Sequence, residues 1–393
     1  MESNNTRILF VGLYKEANLG DEILSYCTER LFGKYYETPV TPSYAYLDYI
    51  EKTYKPSIPR RIVNKLQVVL FGRAFLFNYD KVIAKKRKYY FRTVLKDVDM
   101  AVVVGGGIIK FRVQYFYHGL HALFEGCEFY HIPTVLNAVG VEDYDEKDKK
   151  CIALKELIHS QALKYISTRD DYDTLTHKYF EDNAIIPLRK VCDPAVWASE
   201  IYNISRQNSN VVGIGVIREN IFEDYGKPFS SSAYIELMVV LVSELINKGV
   251  KVKLFTNGWS EDGATAYKIQ KGLSLQNIDV EVTLPLDAKN LITIISGFKA
   301  VVASRLHACI ISYSLNIPIV GLVWNDKVKG FGYNIESPDD FLEVEKLNVR
   351  SIIDRLFIAL EKGQNTNRLF FRNTIINEIK KLKSELCNNK SKR

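Results

Sequence analysis

Residues 300–307 read AVVASRLH, and the assignment of the fold starts from this short stretch. Four small apolar residues at 300–303 are typical of a strand that is buried on both faces of a parallel sheet. The polar residues that follow lead into a helical pattern at 307–315. A strand that passes directly into a helix is the repeating unit of a doubly wound α/β sheet.

The same pattern recurs in two blocks of the chain. Strand-like apolar runs lie at 7–14, 99–104, 133–140, 211–217, 251–256, 280–284, 300–303 and 318–323. A polar break at 202–210 separates the first three from the rest, and we expect the domain boundary there. The sequence therefore predicts an α/β protein with two Rossmann-like, doubly wound domains that face a cleft, one over 1–202 and one over 203–393.

Composition excludes several classes of protein. A chain of 393 residues with 47% hydrophobic and 25% charged residues is globular and long enough for two to three domains. It contains no apolar stretch of the length that a membrane-spanning helix needs, and the polar start lacks the pattern of a secretory signal. Six cysteines without a CxxC pair argue against a zinc ribbon or a disulfide scaffold. We expect a protein of the reducing cytoplasm.

The net charge of +7 is concentrated in one segment. Between Arg60 and Arg92 there are ten basic residues and one acid, net +9, so the remainder of the chain nets −2. Basic and apolar residues at this density suit an anionic membrane surface or a lipid-phosphate acceptor. The alternative is a helix pair with its apolar side in the core and its charges in water. Nucleic acid is not expected as a partner, because no nucleic-acid-binding motif accompanies the charge.

Three strand-end loops in the second half each carry a cation: Arg218, Arg305 and Lys327. The carboxyl ends of parallel strands meet at one edge of a sheet, so these cations could form a pocket for a small anion. Arg305 also precedes a helix, whose free N–H groups favour an anion, and His307 can give or take a proton. The alternative for each is ordinary: a surface salt bridge, a capped helix with ion pairs, or a solvated turn.

The first half offers a different set of strand-end residues. Residues 18–22 read NLGDE where the first strand turns into a helix, and Gly105-Gly106-Gly107 follows the strand at 101–104. Arg169-Asp170 and Asp193-Pro194 are two further polar points of this kind. The alternatives are helix capping for Asp21 and Glu22, a buried ion pair for Arg169-Asp170 and a turn for Asp193-Pro194. The glycines allow close backbone approach to a ligand but do not form a P-loop.

No metal site is expected from the sequence. His118, His121 and His131 are closely spaced, but no carboxylate falls at a regular distance from them, so we interpret them as core or surface histidines. The chain also lacks a Gly-x-Ser-x-Gly, an HExxH and an EF-hand motif.

Taken in order, these motifs resemble the polysaccharide pyruvyl transferase family. The pieces are NLGDE at 18–22, GGG at 105–107, STRD at 167–170, DPA at 193–195, SRLH at 304–307 and DKVKGF at 326–331. The likeness runs from about 7 to 331. A basic, aromatic-rich insertion at about 44–96 departs from the pattern and bears on the acceptor or on membrane contact.

The resemblance implies a two-domain enzyme of the glycosyltransferase-B type. Such an enzyme moves the pyruvyl group of phosphoenolpyruvate onto a sugar of a capsule or exopolysaccharide, or onto its lipid-linked precursor, and forms a ketal. The first domain would take the acceptor and the second the donor. The donor is a substrate, and no cofactor is expected. The chain would act in the cytoplasm, also at the inner face of the membrane through residues 60–92.

The resemblance also implies roles for single residues. Arg218 and Arg305 would bind the donor, with Lys327 as a weaker contact and His307 as the acid. Asp21 would be the base. The acceptor side would be lined by Asn18, Glu22, Arg169, Gly105, Gly106 and Gly107, with Arg169 counted among the catalytic residues. Two rivals stay open: a glycosyltransferase that uses a nucleotide sugar, and a silent scaffold that binds partners through residues 60–92.

Overall fold

A computed structural model describes residues 5–12, 18–53, 77–110, 116–362 and 368–388. The strands are β1 Thr6–Gly12, β2 Val40–Tyr46, β3 Met100–Val104, β4 Thr134–Val139, β5 Leu163–Thr168, β6 Leu188–Lys190, β7 Val211–Gly215, β8 Lys251–Phe255, β9 Val282–Thr283, β10 Ala300–Ala303, β11 Ile319–Leu322 and β12 Phe341–Leu342. The α-helices in these ranges are α1 Leu19–Tyr35, α2 Tyr49–Thr53, α3 Phe77–Val94, α4 Tyr117–Tyr130, α5 Lys149–Leu157, α6 Ala198–Tyr202, α7 Ile221–Asp224, α8 Ser231–Asn247, α9 Ser260–Ser274, α10 Ala288–Ser296, α11 Leu306–Ser314, α12 Asp326–Asn334, α13 Val349–Lys362 and α14 Arg368–Asn388.

The strands form two six-stranded parallel sheets. The first has the order β2-β1-β3-β4-β5-β6 and the second β12-β11-β10-β7-β8-β9. Central strands such as β3 and β10 are buried along their whole length, as their apolar runs predict. In each sheet the strand order reverses beside the first strand, between β1 and β3 and between β7 and β10. Ligands of doubly wound sheets bind outside the strand ends at such switch points.

The chain divides into two compact units that are not continuous in sequence. Unit one comprises Met1–Tyr14, Phe32–Lys190 and Glu378–Arg393, and unit two comprises Lys15–Leu31 and Val191–Asn377. The predicted division at 202/203 differs from this in three places: most of α1 and the residues after 190 group with unit two, and the end of α14 groups with unit one.

Specific contacts explain where residues beyond the predicted division belong. Within unit two, the backbone N–H of Ser199 donates to Ser314 Oγ at 2.7 Å, which fixes the segment after 190 against α11. Within unit one, Tyr165 donates to Glu378 Oε2 at 2.9 Å, and Arg189 pairs with Glu385 at 2.9 Å. A polar break in the sequence does not reveal such long-range side-chain pairs, so these parts of the boundary could not be predicted from it.

The basic segment is described only in part. Arg60, Arg61, Lys65 and Arg73 lie outside the described residues, whereas β2, α2 and α3 cover the flanks of the predicted insertion at 44–96. None of the helices in the described ranges combines the length and apolar character that crossing a membrane requires.

Candidate functional site

The switch point of unit two brings together the loops that follow β7, β8 and β10. Arg218 comes three residues after the end of β7, and Arg305 two residues after the end of β10. The loop after β8 carries Asn257 and Trp259 and leads into α9. The sequence-based placement of Arg218 and Arg305 at one edge of the sheet is therefore correct.

A buried carboxylate joins the two arginine segments. Asp262, in the first turn of α9, is fully buried and accepts hydrogen bonds from Arg305 Nε at 2.8 Å and Arg305 Nη2 at 2.6 Å. It also accepts one from the backbone N–H of Arg218 at 2.9 Å. A bidentate pair of this kind fixes the plane of the guanidinium. Removing one partner of a buried pair typically costs about 3–5 kcal/mol.

Arg305 keeps part of its guanidinium available. Its Cζ lies 5.6 Å from the centre of the Trp259 ring, a cation–π distance. Asp262 accepts hydrogen bonds from Nε and Nη2, and Nη1 has no hydrogen-bond partner among the described residues. The side chain is therefore held on one edge and presents the other, which is the geometry of an oriented anion-binding group.

The Arg218 side chain is compensated locally. Nη1 donates to Asn220 Oδ1 at 2.7 Å and pairs with the carboxylate of Asp224 in α7. Glu261 is exposed and lies near both arginines. Hydrogen bonds from its own backbone N–H and from Ser260 lower the pKa of its carboxyl, and the charges of Arg218 and Arg305 lower it further. The two guanidinium groups therefore act on one neighbourhood, but with part of their charge already matched.

His307 lies against the start of α1. It is the second residue of α11, and a Cβ built on Gly20 would lie 2.2 Å from His307 Nδ1 and 2.4 Å from its Cγ. The backbone N–H of Leu19 donates to the carbonyl of Asn257 at 3.4 Å. The N-termini of α1 and α11 and the loop before α9 thus meet at one place, and helix N-termini favour negative charge.

The residues of the NLGDE segment belong to this place in unit two. Asn18 Nδ2 donates to Asp21 Oδ2 at 2.7 Å, so Asp21 is held in the first turn of α1. Glu22 is exposed. The prediction that Asn18, Asp21 and Glu22 belong to the first domain is wrong, because residues 15–31 group with unit two.

The DKVKGF segment is helical, and the prediction of a loop there is wrong. Lys327 lies in the first turn of α12, which Asn325 caps by accepting a hydrogen bond from Val328 N at 3.1 Å. Two glycines weaken the helical pattern in the sequence. Trp324 Nε1 donates to the carbonyl of Ser304 at 2.7 Å and so ties this segment to the residue before Arg305.

The remaining candidates lie at the carboxyl ends of two strands of unit one, β3 and β5. Gly105, Gly106 and Gly107 follow β3, and Gly106 has φ 83°, which favours glycine. Its carbonyl accepts the backbone N–H of Gly140 at 2.7 Å, so the triplet also has a local role in backbone packing. Arg169 is buried directly after β5.

Asp262, Asn257 and Trp259 were not predicted from the sequence. An acid in the first turn of a helix is ordinary in a sequence, and nothing local indicates that Asp262 is buried under an arginine. Asn257 is also buried, and its Oδ1 has no hydrogen-bond partner among the described residues. A strand followed by Asn-Gly could have directed attention to this loop. In the described ranges, no three His, Cys, Asp or Glu side chains come together as a metal-binding group.

Comparison with known proteins gives a family match and a structural likeness. A family model for polysaccharide pyruvyl transferases matches residues 18–326. No curated protein sequence matches the chain significantly. Among solved structures, UDP-GlcNAc 2-epimerase from Methanocaldococcus jannaschii is similar with a TM-score of 0.60 and 12% identity, over 96% of this chain and 99% of that chain.

Two further solved structures share the fold. The UDP-GlcNAc 2-epimerase from Neisseria meningitidis bound to UDP-GlcNAc has a TM-score of 0.57 and 13% identity, over 96% of this chain and all of that chain. The S. aureus MnaA–UDP structure has a TM-score of 0.57 and 13% identity, over 97% of both chains. At such identities the likeness concerns the fold alone, and it confirms two Rossmann-like domains of the glycosyltransferase-B type.

We predict that Gly20→Ala displaces the imidazole of His307. The new methyl group would overlap the ring, and overpacking of this kind lowers the free energy of unfolding by about 1–3 kcal/mol. Gly33, also in α1, offers open space, since a Cβ at that position would have no neighbour within 4 Å. Gly33→Ala should therefore stabilise by about 0.5–1 kcal/mol through helix propensity. Denaturant unfolding of both variants checks this, and equal effects of the two substitutions would contradict it.

Proposed function

The chain belongs to the polysaccharide pyruvyl transferase family, and on this basis we propose that it transfers the pyruvyl group of phosphoenolpyruvate to a sugar and forms a ketal. The observation that carries the proposal is Arg305, which Asp262 orients at the switch point of unit two beside the N-termini of α11 and α1. Phosphoenolpyruvate concentrates a phosphate and a carboxylate in a small volume, and such a ligand needs several directed N–H donors close together.

Donor recognition would use directed hydrogen bonds more than net charge. Asp262 and Asp224 already offset the charges of Arg305 and Arg218. What they leave for the donor is Nη1 of Arg305, the other nitrogens of Arg218 and the N–H groups at the helix starts. The buried amide of Asn257, beside Leu19, is a further candidate contact. Lys327 lies in the first turn of α12, which follows β11, the strand beside β10, and would add a positive charge there.

The proposed reaction proceeds in three steps. A sugar hydroxyl adds to C2 of the donor while C3 takes a proton from His307, which leaves a methyl group on a phosphorylated ketal carbon. Phosphate then departs from C2 with the C–O bonding pair, and an oxocarbenium-like centre forms. A second hydroxyl adds to C2 and closes the ketal. Asp21 would take the proton of the first hydroxyl, and the departing phosphate would take that of the second. The oriented N–H groups would stabilise this phosphate as it leaves.

The acceptor side stays a prediction. Glu22 is exposed at the start of α1 and would contact the sugar, together with Asn18, which positions Asp21. For Arg169 and the Gly105–Gly107 turn, which belong to unit one, an acceptor role stays a prediction from the sequence. The acceptor would be part of a capsule or exopolysaccharide, or its lipid-linked precursor.

Contact with an anionic membrane surface would suit a lipid-linked acceptor. Among residues 82–94 of α3 there are five basic side chains and no acid. Tyr89 is 74% exposed, and Phe129 of α4 is 57% exposed with the guanidinium of Arg92 4.2 Å from its ring centre. Exposed Lys85 completes a surface of basic and aromatic groups, which is the combination that anionic lipid interfaces attract.

The choice of donor can be tested by ligand-dependent stabilisation of the wild-type protein. Phosphoenolpyruvate at about 100 times its Kd should stabilise the folded chain by about 2.7 kcal/mol and raise its Tm. UDP-GlcNAc should leave Tm unchanged. The reverse result, with UDP-GlcNAc alone raising Tm, would favour the nucleotide-sugar glycosyltransferase. Product analysis then follows: lipid-linked oligosaccharide incubated with phosphoenolpyruvate should gain the mass of one pyruvyl ketal, and one phosphate should be released from the donor for each ketal formed.

Arg305→Lys tests the orientation of the donor. The ammonium can still pair with Asp262 but cannot present a second edge, so kcat/KM for phosphoenolpyruvate should fall by about 10²–10³. Arg355→Lys is a matched control, because Arg355 is similarly buried and pairs with Asp340 at 2.6 Å. Phosphate release in the presence of acceptor measures both. Wild-type efficiency in Arg305→Lys would remove Arg305 from the donor site.

Membrane contact can be tested with vesicles. Lys85→Glu combined with Tyr89→Ser should weaken binding to phosphatidylglycerol vesicles at least about tenfold, since each lysine near such a surface contributes about 1 kcal/mol. The pair Tyr267→Ser and Lys271→Glu, also exposed and one turn apart on α9, serves as control. Sedimentation with vesicles measures binding. Equal binding of both double variants would contradict the assignment of this surface.

A further inference from the structure

The imidazole of His307 lies between Gly20 on one side and Asp193 on the other. His307 Nε2 is 3.8 Å from Asp193 Oδ2, and the two residues are only 7% and 4% exposed. The Gly20 backbone covers the side of the ring that carries Nδ1. A buried carboxylate at ion-pair distance from an imidazole is unusual in a core and is costly unless the two groups compensate each other.

Asp193 is fixed independently of His307. Its Oδ1 accepts the backbone N–H of Ala195 at 2.8 Å, which caps the short 3-10 turn Pro194–Trp197. The backbone N–H of Cys192, the preceding residue, donates to Thr374 Oγ1 at 2.8 Å. One carboxylate oxygen is thus used by the turn, and the other faces the imidazole. Asp193-Pro194 was predicted as a strand-end polar point with a turn as the alternative, and the proposed function does not use it.

The charges around His307 come from several elements. α11 contributes Arg305 two residues earlier, and α1 contributes Asp21 and Glu22 in its first turn. Further along α1, Cys27 stays a neutral thiol, because burial raises its pKa and the charges of Asp193 and Glu200 raise it further. The helix N-termini and Arg305 disfavour an imidazolium. Among the described residues, Asp193 is a carboxylate at ion-pair distance from the ring, and its charge opposes them.

We propose that Asp193 is a positioning residue for His307: it holds the imidazole in its protonated form and in a fixed orientation. The catalytic part of this inference rests on the proposed function, because it concerns the proton that His307 gives to C3 of the donor. The ionisation part does not depend on any substrate. Nε2 faces the carboxylate, so the charge of Asp193 favours the imidazolium that gives its proton to C3.

The first experiment follows the ionisation of His307 by NMR in the full-length protein. Histidine-labelled wild type and Asp193→Asn are titrated with acid, and His307→Gln identifies the resonance. Asn keeps the capping role of Asp193 but removes the negative charge that stabilises the imidazolium. The titration midpoint of His307 should therefore fall by at least about one pH unit, a tenfold change in its protonation constant.

A matched pair elsewhere in the chain provides the control. Asp182 Oδ1 lies 2.6 Å from His177 Nδ1, and both side chains are largely exposed. Asp182→Asn should leave the midpoint of His307 unchanged. An unchanged midpoint in Asp193→Asn, or an equal shift in both variants, would overturn the proposal.

The second experiment measures turnover. In Asp193→Asn, kcat should fall about 10–100-fold with little change in KM for phosphoenolpyruvate, and the alkaline limb of the kcat profile should move to lower pH. Asp193→Glu should recover part of the loss. Unchanged kcat with a shifted NMR midpoint would overturn the catalytic part. If the midpoint shifts as expected but the wild type never turns over phosphoenolpyruvate, the proposed function fails and the Asp193–His307 pairing remains.

Discussion

The candidate site depends on one buried carboxylate. Asp262 enters the interior of unit two at the start of α9, where an isolated charge would be prohibitively unfavourable. It is tolerated because Arg305 meets it with two parallel hydrogen bonds and the backbone of Arg218 supplies a third. The same three bonds connect the ends of β7 and β10 to α9. The interactions of Asp262 thus join the strand ends at the switch point and fix the orientation of the Arg305 guanidinium.

Around this carboxylate the fold brings together helix starts that are far apart in sequence. α1 approaches α11 so closely that only glycine fits at position 20 without moving the imidazole of His307. The loop after β8 joins them through the bond from Leu19 to Asn257. Each helix start brings backbone N–H groups that the helix itself does not satisfy. A small anion is the simplest ligand that such a set of donors recognises.

Much of this arrangement could be predicted, for reasons that lie in particular residues. Short apolar runs such as 300–303 identify buried parallel strands, and a parallel sheet puts Arg218 and Arg305 at one edge whatever the details. The position of Asp21 could not be predicted, because α1 follows a strand of one unit but packs with the other. Asp262 was missed because burial depends on tertiary contacts, and the helix at Lys327 was missed because its glycines weaken the local pattern.

The discontinuous composition of unit two has a consequence for biosynthesis. Residues 15–31 leave the ribosome early, yet the segment they pack with starts at residue 191 and extends to 377. During translation the apolar side of the first turns of α1 stays exposed until most of the polypeptide has been synthesised. Unit one is likewise incomplete until the final half of α14 has been synthesised. Neither half can therefore be completed on its own while the chain is growing, and a truncated product would expose surface that chaperones recognise.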